Sequence, residues 1–217
     1  MNEFERFIQF LITSINDIEA QYYQTEFDGF YGFRNRIRNL GRFQGNRFIR
    51  HTERGFAYEL YYKLRTIIET HRVNNEFFPG YFLQGEIKKM DVPQILEIFG
   101  YTSMGSSYIP DLLFHTPGAD GNAFVVEIKA QPELEGVEIL YDLNKLAKFL
   151  RRLNYAKAVF LAVNISPETV RTLIRNYSRQ MRNNFTEERL EDCYVIVKQT
   201  PGLHTPYFIQ TLTQILA

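Results

Sequence analysis

Three charged residues fall where the surrounding pattern calls for apolar ones. Asp111 follows Pro110 at the head of Leu112-Leu113-Phe114, and Glu127 and Lys129 interrupt Phe124-Val125-Val126-Glu127-Ile128-Lys129-Ala130. Side chains alternate along a strand, so Glu127 and Lys129 share one face. If the strands bearing Asp111 and Glu127 are neighbours, two carboxylates and an ammonium converge on one patch. Buried charges are costly unless paired or bound to metal. Two hard oxygen ligands with open positions suit Mg²⁺ or Mn²⁺. A lysine beside such an ion can hold an attacking water and help to deprotonate it, while the ion stabilises charge developing on a phosphate. That chemistry requires no cysteine, histidine or organic cofactor. Glu59, between Tyr58 and Leu60, adds a fourth charge from further up the chain.

These residues need a sheet to hold them, and the pattern supplies one. Phe56, Leu60, Leu64, Ile67 and Ile68 predict a helix from about Glu53 to His71. Tyr81 to Lys89 reads as a strand after the Pro79-Gly80 turn, and Val92 to Phe99 as a short helix. Strands follow at Ile109 to His115 and at Ala123 to Ala130; the second is apolar on both faces and therefore central. Val137 to Leu153 is a helix with Leu140, Leu143, Ala147 and Leu150 inward, and Lys157 to Asn164 is another buried strand. Short connections let the first three strands pair as an antiparallel meander. The helical crossover favours parallel pairing of the next. The fold class is therefore α/β, a central mixed sheet flanked by helices.

Ile109-Pro110-Asp111, fifteen intervening residues, then Glu127-Ile128-Lys129 resembles the motif of the PD-(D/E)xK nuclease superfamily. The order helix, three strands, helix, strand is similar to the restriction-endonuclease-like core of that superfamily, which also carries a helical Glu upstream, here Glu59. The resemblance covers residues 53–165, about half the chain. It implies a Mg²⁺-dependent (or Mn²⁺-dependent) endonuclease with Asp111 and Glu127 as metal ligands. The peptide carbonyl of Ile128 would also face the metal, Lys129 would orient water, and Glu59 would act through a second metal or through water. It implies DNA as the substrate and a place in restriction, phage defence or mobile-element biology. The alternative is an inactive nuclease-fold module that binds or scaffolds within a nucleic-acid-processing complex. A hydrolase of small phosphoesters is weaker, for want of a Gly-rich phosphate cradle.

Between Gly29 and Arg54 there are seven arginines and one acid, Glu53, with Phe and Tyr interleaved and glycines throughout. That stretch reads as loop-rich with at most a short helix. Arg34, Arg36, Arg38, Arg42 and Arg47 would contact phosphates while the aromatics stack; the competing role is a structural arm paired with acids elsewhere. Lys145, three residues after Asp142 on one helix face, is a further candidate for phosphate contact, although such a pair is usually a solvated salt bridge. Gln131 continues the face of Lys129 if the strand continues. Glu86 and Lys88 form a second E-x-K at strand spacing, read as a charged edge strand. His115 reads as a core or rim histidine.

The remainder bounds the molecule. At 217 residues, the chain suits a single domain over 1–217. Within it lie an N-terminal amphipathic helix and Arg/aromatic-rich segment (1–52), the nuclease-like core (53–165) and a C-terminal helix and strand extension (166–217). Ser166-Pro167 opens a helix bearing Arg171, Arg175, Arg179 and Arg182, then come a strand at Cys193 to Lys198 and a helix or strand at Tyr207 to Leu216. Equal numbers of acids and bases, 25 each, say nothing of partners until placed. The single Cys193 excludes an intrachain disulfide framework and a Cys-rich zinc site. The acidic N-terminus is not a secretory signal, and no apolar run spans a bilayer, so a cytoplasmic protein with no membrane partner is expected. The helix over 3–20 is expected to pack on the body, with a homodimer contact as its alternative.

Overall fold

The computed structural model describes residues 2–27, 43–44, 47–74, 77–85, 109–118 and 121–217. Six strands form one open mixed sheet in the order β4 (Phe82–Gly85), β5 (Leu112–His115), β6 (Asn122–Lys129), β7 (Lys157–Val163), β8 (Cys193–Lys198) and β9 (Phe208–Thr211). The meander β4-β5-β6 is antiparallel, β6-β7-β8 is parallel, and β9 returns antiparallel. Parallel strands need crossovers, and helices provide them: α4 (Gly136–Arg152) between β6 and β7, then α5 (Pro167–Asn176), α6 (Ser178–Asn184) and α7 (Glu187–Leu190) before β8.

Both faces of the sheet are covered. On one, α1 (Glu3–Asn16), the short α2 (Ala20–Tyr23) and α3 (Glu53–Asn74) pack against Leu112, Phe114, Phe124, Val126, Ile128 and Leu161. On the other, α4 to α7 and the final helix α8 (Leu212–Leu216) cover Leu113, Val125, Phe160, Ala162 and Val195. Burial on both sides is why β6 and β7 read as nearly continuous apolar runs. The stripe of α1 packs on the body: Phe7 is fully buried and stacks on Phe114 and Phe124, with centroids 4.9 and 3.9 Å away. No helix among the described residues is long and apolar enough to cross a membrane.

Within the basic stretch, the described part holds strands in place of the expected loop. β1 (Thr25–Phe27), β2 (Phe43–Gln44) and β3 (Arg47–Arg50) form a small antiparallel sheet in the order β1-β3-β2. Gly45-Asn46, between β2 and β3, has the composition of a two-residue hairpin connection, which the count of glycines and arginines obscured. Arg47 lies in β3; Arg34, Arg36, Arg38 and Arg42 lie outside the described residues, as do Glu86, Lys88 and the helix expected over 92–99. The helix after Pro167 starts as expected, with Ser166 capping Thr169 N, but divides at Tyr177 into α5 and α6. The C-terminal segment is both strand and helix, joined at Thr211, which caps α8.

Candidate active site

The register of β5 against β6 assembles the site. Leu112 faces Val126, so one step further Asp111 faces Glu127. This is the C-terminal end of β6 and of its parallel neighbour β7, where the side chains of α/β sheets are free to meet a ligand. Asp111 Oδ2 accepts the backbone N–H of Ile128 at 2.6 Å, which ties the carboxylate to β6. Glu127 and Lys129 point to the α4 side of the sheet, as the alternation requires, but they do not pair with each other. Glu127 is 2 % exposed, and its Oε2 lies 2.5 Å from Lys145 Nζ. Its Oε1 is sealed from solvent and has no hydrogen-bond partner among the described residues. Lys129 Nζ sits 3.1 Å from Asp142 Oδ2 and 3.7 Å from Glu53 Oε2.

Two elements therefore contribute residues that the motif does not contain. Asp142 and Lys145 are buried on α4, one turn apart. Lys145 Nζ also reaches Asp142 Oδ1 at 3.8 Å and donates to the carbonyl of Ile109 at 3.3 Å. Its ammonium thus lies inside the cluster. The apolar stripe of Leu143, Leu146 and Leu150 turns this side of α4 inward, so the Asp142–Lys145 pair stands in the cluster and not on a solvated face. Glu53 opens α3 and brings a carboxylate to Lys129 and to the N–H of Ala130.

Glu59 lies six residues further along the same helix. Its carboxylate pairs with Lys63 at 3.8 Å, and Lys63 pairs with Asp17 at 2.9 Å. Among the described residues no ion pair joins it to Lys129, the one cation of the motif. Six residues separate Glu53 from Glu59, which at about 100° each places them on different sides of α3. Glu53 was legible only as the lone acid of a basic stretch. Gln131 is exposed and lies past the end of β6. His115 is buried and its Nε2 lies 2.5 Å from Gln84 Oε1 on β4, as a core histidine.

The electrostatics follow from burial. Asp111 is pushed up to about 6, first by desolvation and further by Glu53, against the pull of the Ile128 N–H and the two lysines. Glu127 is raised well above the usual carboxylate range by burial and then by Asp111. Burial also raises Glu53. Burial opposes the charge on Lys129, but Asp142 and Glu53 outweigh it, so its pKa is raised and the ammonium stays charged at neutral pH. A charged ammonium donates hydrogen bonds to water or phosphate; it does not act as a base.

Among the described residues no three His, Cys, Asp or Glu side chains are grouped so as to enclose a metal ion. The set that fits an ion is an open one: Asp111, the unpartnered Oε1 of Glu127 and the peptide carbonyl of Ile128, completed by water as Mg²⁺ prefers. No protein-family model, curated protein or solved structure matches the chain.

Proposed function

We propose that this cluster is the active site of a metal-dependent nuclease that hydrolyses phosphodiester bonds in DNA, on a restriction-endonuclease-like core. One observation carries the reading: Asp111, one residue before β5 and bonded to the Ile128 N–H, beside Glu127 on β6, with Lys129 two residues further on the same face of β6. The order α3, β4-β5-β6, α4, β7 agrees with it. Asp111, Glu127 and the Ile128 carbonyl would hold Mg²⁺ or Mn²⁺, which when bound supplies a water of lowered pKa and charge to match that developing on the phosphate. Lys129, held charged by Asp142 and Glu53, donates hydrogen bonds to the attacking water or to a phosphate oxygen. Glu53 and Asp142 act through Lys129 and are positioning residues.

The test is cleavage of single-stranded, double-stranded and branched DNA with Mg²⁺ or Mn²⁺, against EDTA. Lys129→Ala should keep the fold and lose ~10²–10⁴-fold in rate. No metal-dependent cleavage of any of these substrates, or full activity in Lys129→Ala, would remove the assignment. A second reading has its own support: Glu127 and Lys129 already have opposite charges beside them, and the carboxylate of Glu59 has Lys63 beside it. A closed ionic core of that kind suits a nuclease-fold module that binds or scaffolds without turnover. It predicts DNA retention that EDTA does not change and no cleavage.

A further inference from the structure

Lys145 stands on the carboxylate that a metal would need. Its Nζ lies 2.5 Å from Glu127 Oε2, closer than any other charged group described in the cluster. Its remaining contacts are weak by comparison: the Ile109 carbonyl at 3.3 Å and Asp142 Oδ1 at 3.8 Å. Lys145 and Glu127 are 7 % and 2 % exposed, so solvent screens the pair little. Asp142 has a second cation, Lys129 at 3.1 Å, and does not depend on Lys145. The other oxygen of Glu127 is buried and has no hydrogen-bond partner among the described residues. Among the described residues Glu127 is therefore half-satisfied, with one oxygen on an ammonium and the other unmatched, an arrangement that favours a ligand able to serve both.

We propose that Lys145 is the resident cation of the Asp111–Glu127 site, and that it leaves Glu127 when a divalent ion binds there. The inference rests on the metal-site reading above and deepens it, by naming a residue that sets how tightly the site takes its ion. The pair Lys145–Glu127 keeps a buried carboxylate matched with opposite charge, since an unmatched one is strongly destabilising. The same pairing weakens metal binding, because a divalent ion must compete with an ammonium already in contact. The stem of Lys145 is a flexible four-carbon chain, and its helix can stay in place while the ammonium withdraws towards Asp142 and the Ile109 carbonyl.

The experiment is calorimetric titration with Mn²⁺ at pH 8 of the full chain, as wild type, Lys145→Met, Lys145→Gln and Lys145→Arg. Melting temperatures with EDTA and with Mn²⁺ are read alongside. Removing the competing charge should tighten Mn²⁺ binding by ~10-fold or more in the two neutral variants. Lys145→Arg, which keeps a cation, should bind no more tightly than wild type. The neutral variants should melt lower than wild type in EDTA and recover more of their stability on adding Mn²⁺. Equal or weaker Mn²⁺ binding by the neutral variants, with wild type binding normally, overturns the role of Lys145 and leaves the metal site standing. No Mn²⁺ binding by any variant overturns both. If neither neutral variant folds even in Mn²⁺, the ammonium is a structural requirement that an ion cannot replace, and the proposal fails.

Discussion

Asp111 shows how a single residue is set by two opposed demands. The Ile128 N–H favours its charged form, and burial together with nearby Glu53 favours the neutral one; burial wins, and the pKa rises to about 6. In the unfolded chain the value is about 3.9. The folded state thus holds the proton more tightly, so the stability that Asp111 contributes is complete below about pH 4 and is lost as pH rises through about 6. Asp111→Asn removes that titration while keeping an acceptor for Ile128. In EDTA the variant should be more stable than wild type at pH 7 by on the order of 1–3 kcal/mol, the gap closing towards pH 4. Urea unfolding at both pH values reads it, and a gap that does not change with pH would show that burial does not control this carboxyl. Glu53 and Glu59 are separated by their contacts in the same way. Glu53→Gln loosens Lys129 and should lower cleavage by roughly 10–10²-fold, whereas Glu59→Gln should leave it within about twofold. Equal losses in the two variants would contradict the placement of Glu59 beside Lys63.

At the scale of elements, helix phase decides which charges enter the site. Apolar residues of α4 lock it onto β6 and β7, and with that rotation Asp142 and Lys145 have no choice but to face the sheet. Gly136 opens α4 against the ring of Tyr177: a Cβ there would lie 2.6 Å from Cε2. Gly136→Ala, which in an exposed helix would stabilise by about 0.5–1 kcal/mol, should here lower the melting temperature instead, and a rise would show that the ring yields. Across the sheet, α1 is fastened by Phe7 between Phe114 and Phe124. Phe7→Ala should cost about 3–5 kcal/mol in urea unfolding. A cost under 1 kcal/mol would mean that α1 is dispensable to the body and free for another partner. The arginines after Pro167 serve the last element: Arg175 Nε and Arg182 Nη2 donate to the carbonyls of Ile215 and Leu216, holding the C-terminal helix α8 to α5 and α6.

For the whole molecule the question is where neutrality breaks down. The chain has equal acids and bases, yet the charges from Gly29 to Arg54 are seven arginines against one acid. If Arg34, Arg36, Arg38, Arg42 and Arg47 contact phosphates, replacing several with Gln should weaken DNA binding alike for all sequences. The log–log salt dependence should then flatten by about 0.9 per lost contact on duplex DNA. An arm paired with acids of the body, or of a second subunit, predicts lower melting temperature or loss of dimer with an unchanged slope. Binding at several salt concentrations, melting temperature and mass in solution, all on one multiple variant, separate the two.

What the sequence by itself determined is what short-range geometry controls. Strand alternation puts Glu127 and Lys129 on one face, and the short turn after His115 makes β5 and β6 antiparallel neighbours. The crossover helix makes β7 parallel, and each of these is local in the chain. Even the Ser166 cap follows from two adjacent residues. What only the tertiary structure decided is which distant charges complete the site. Glu53 is 74 residues before Glu127 in the chain, and Glu59, six residues after Glu53, has the same chemistry and sits in the same helix. Nothing in their own surroundings ranks one above the other. The rotation of α3 against α1 and the sheet does so, turning Glu59 to Lys63 and Glu53 to Lys129. Lys145 is the same case: i, i+3 spacing describes an exposed salt bridge and a buried one equally well. Packing of the α4 stripe on the sheet makes it the buried one and sets its ammonium on Glu127.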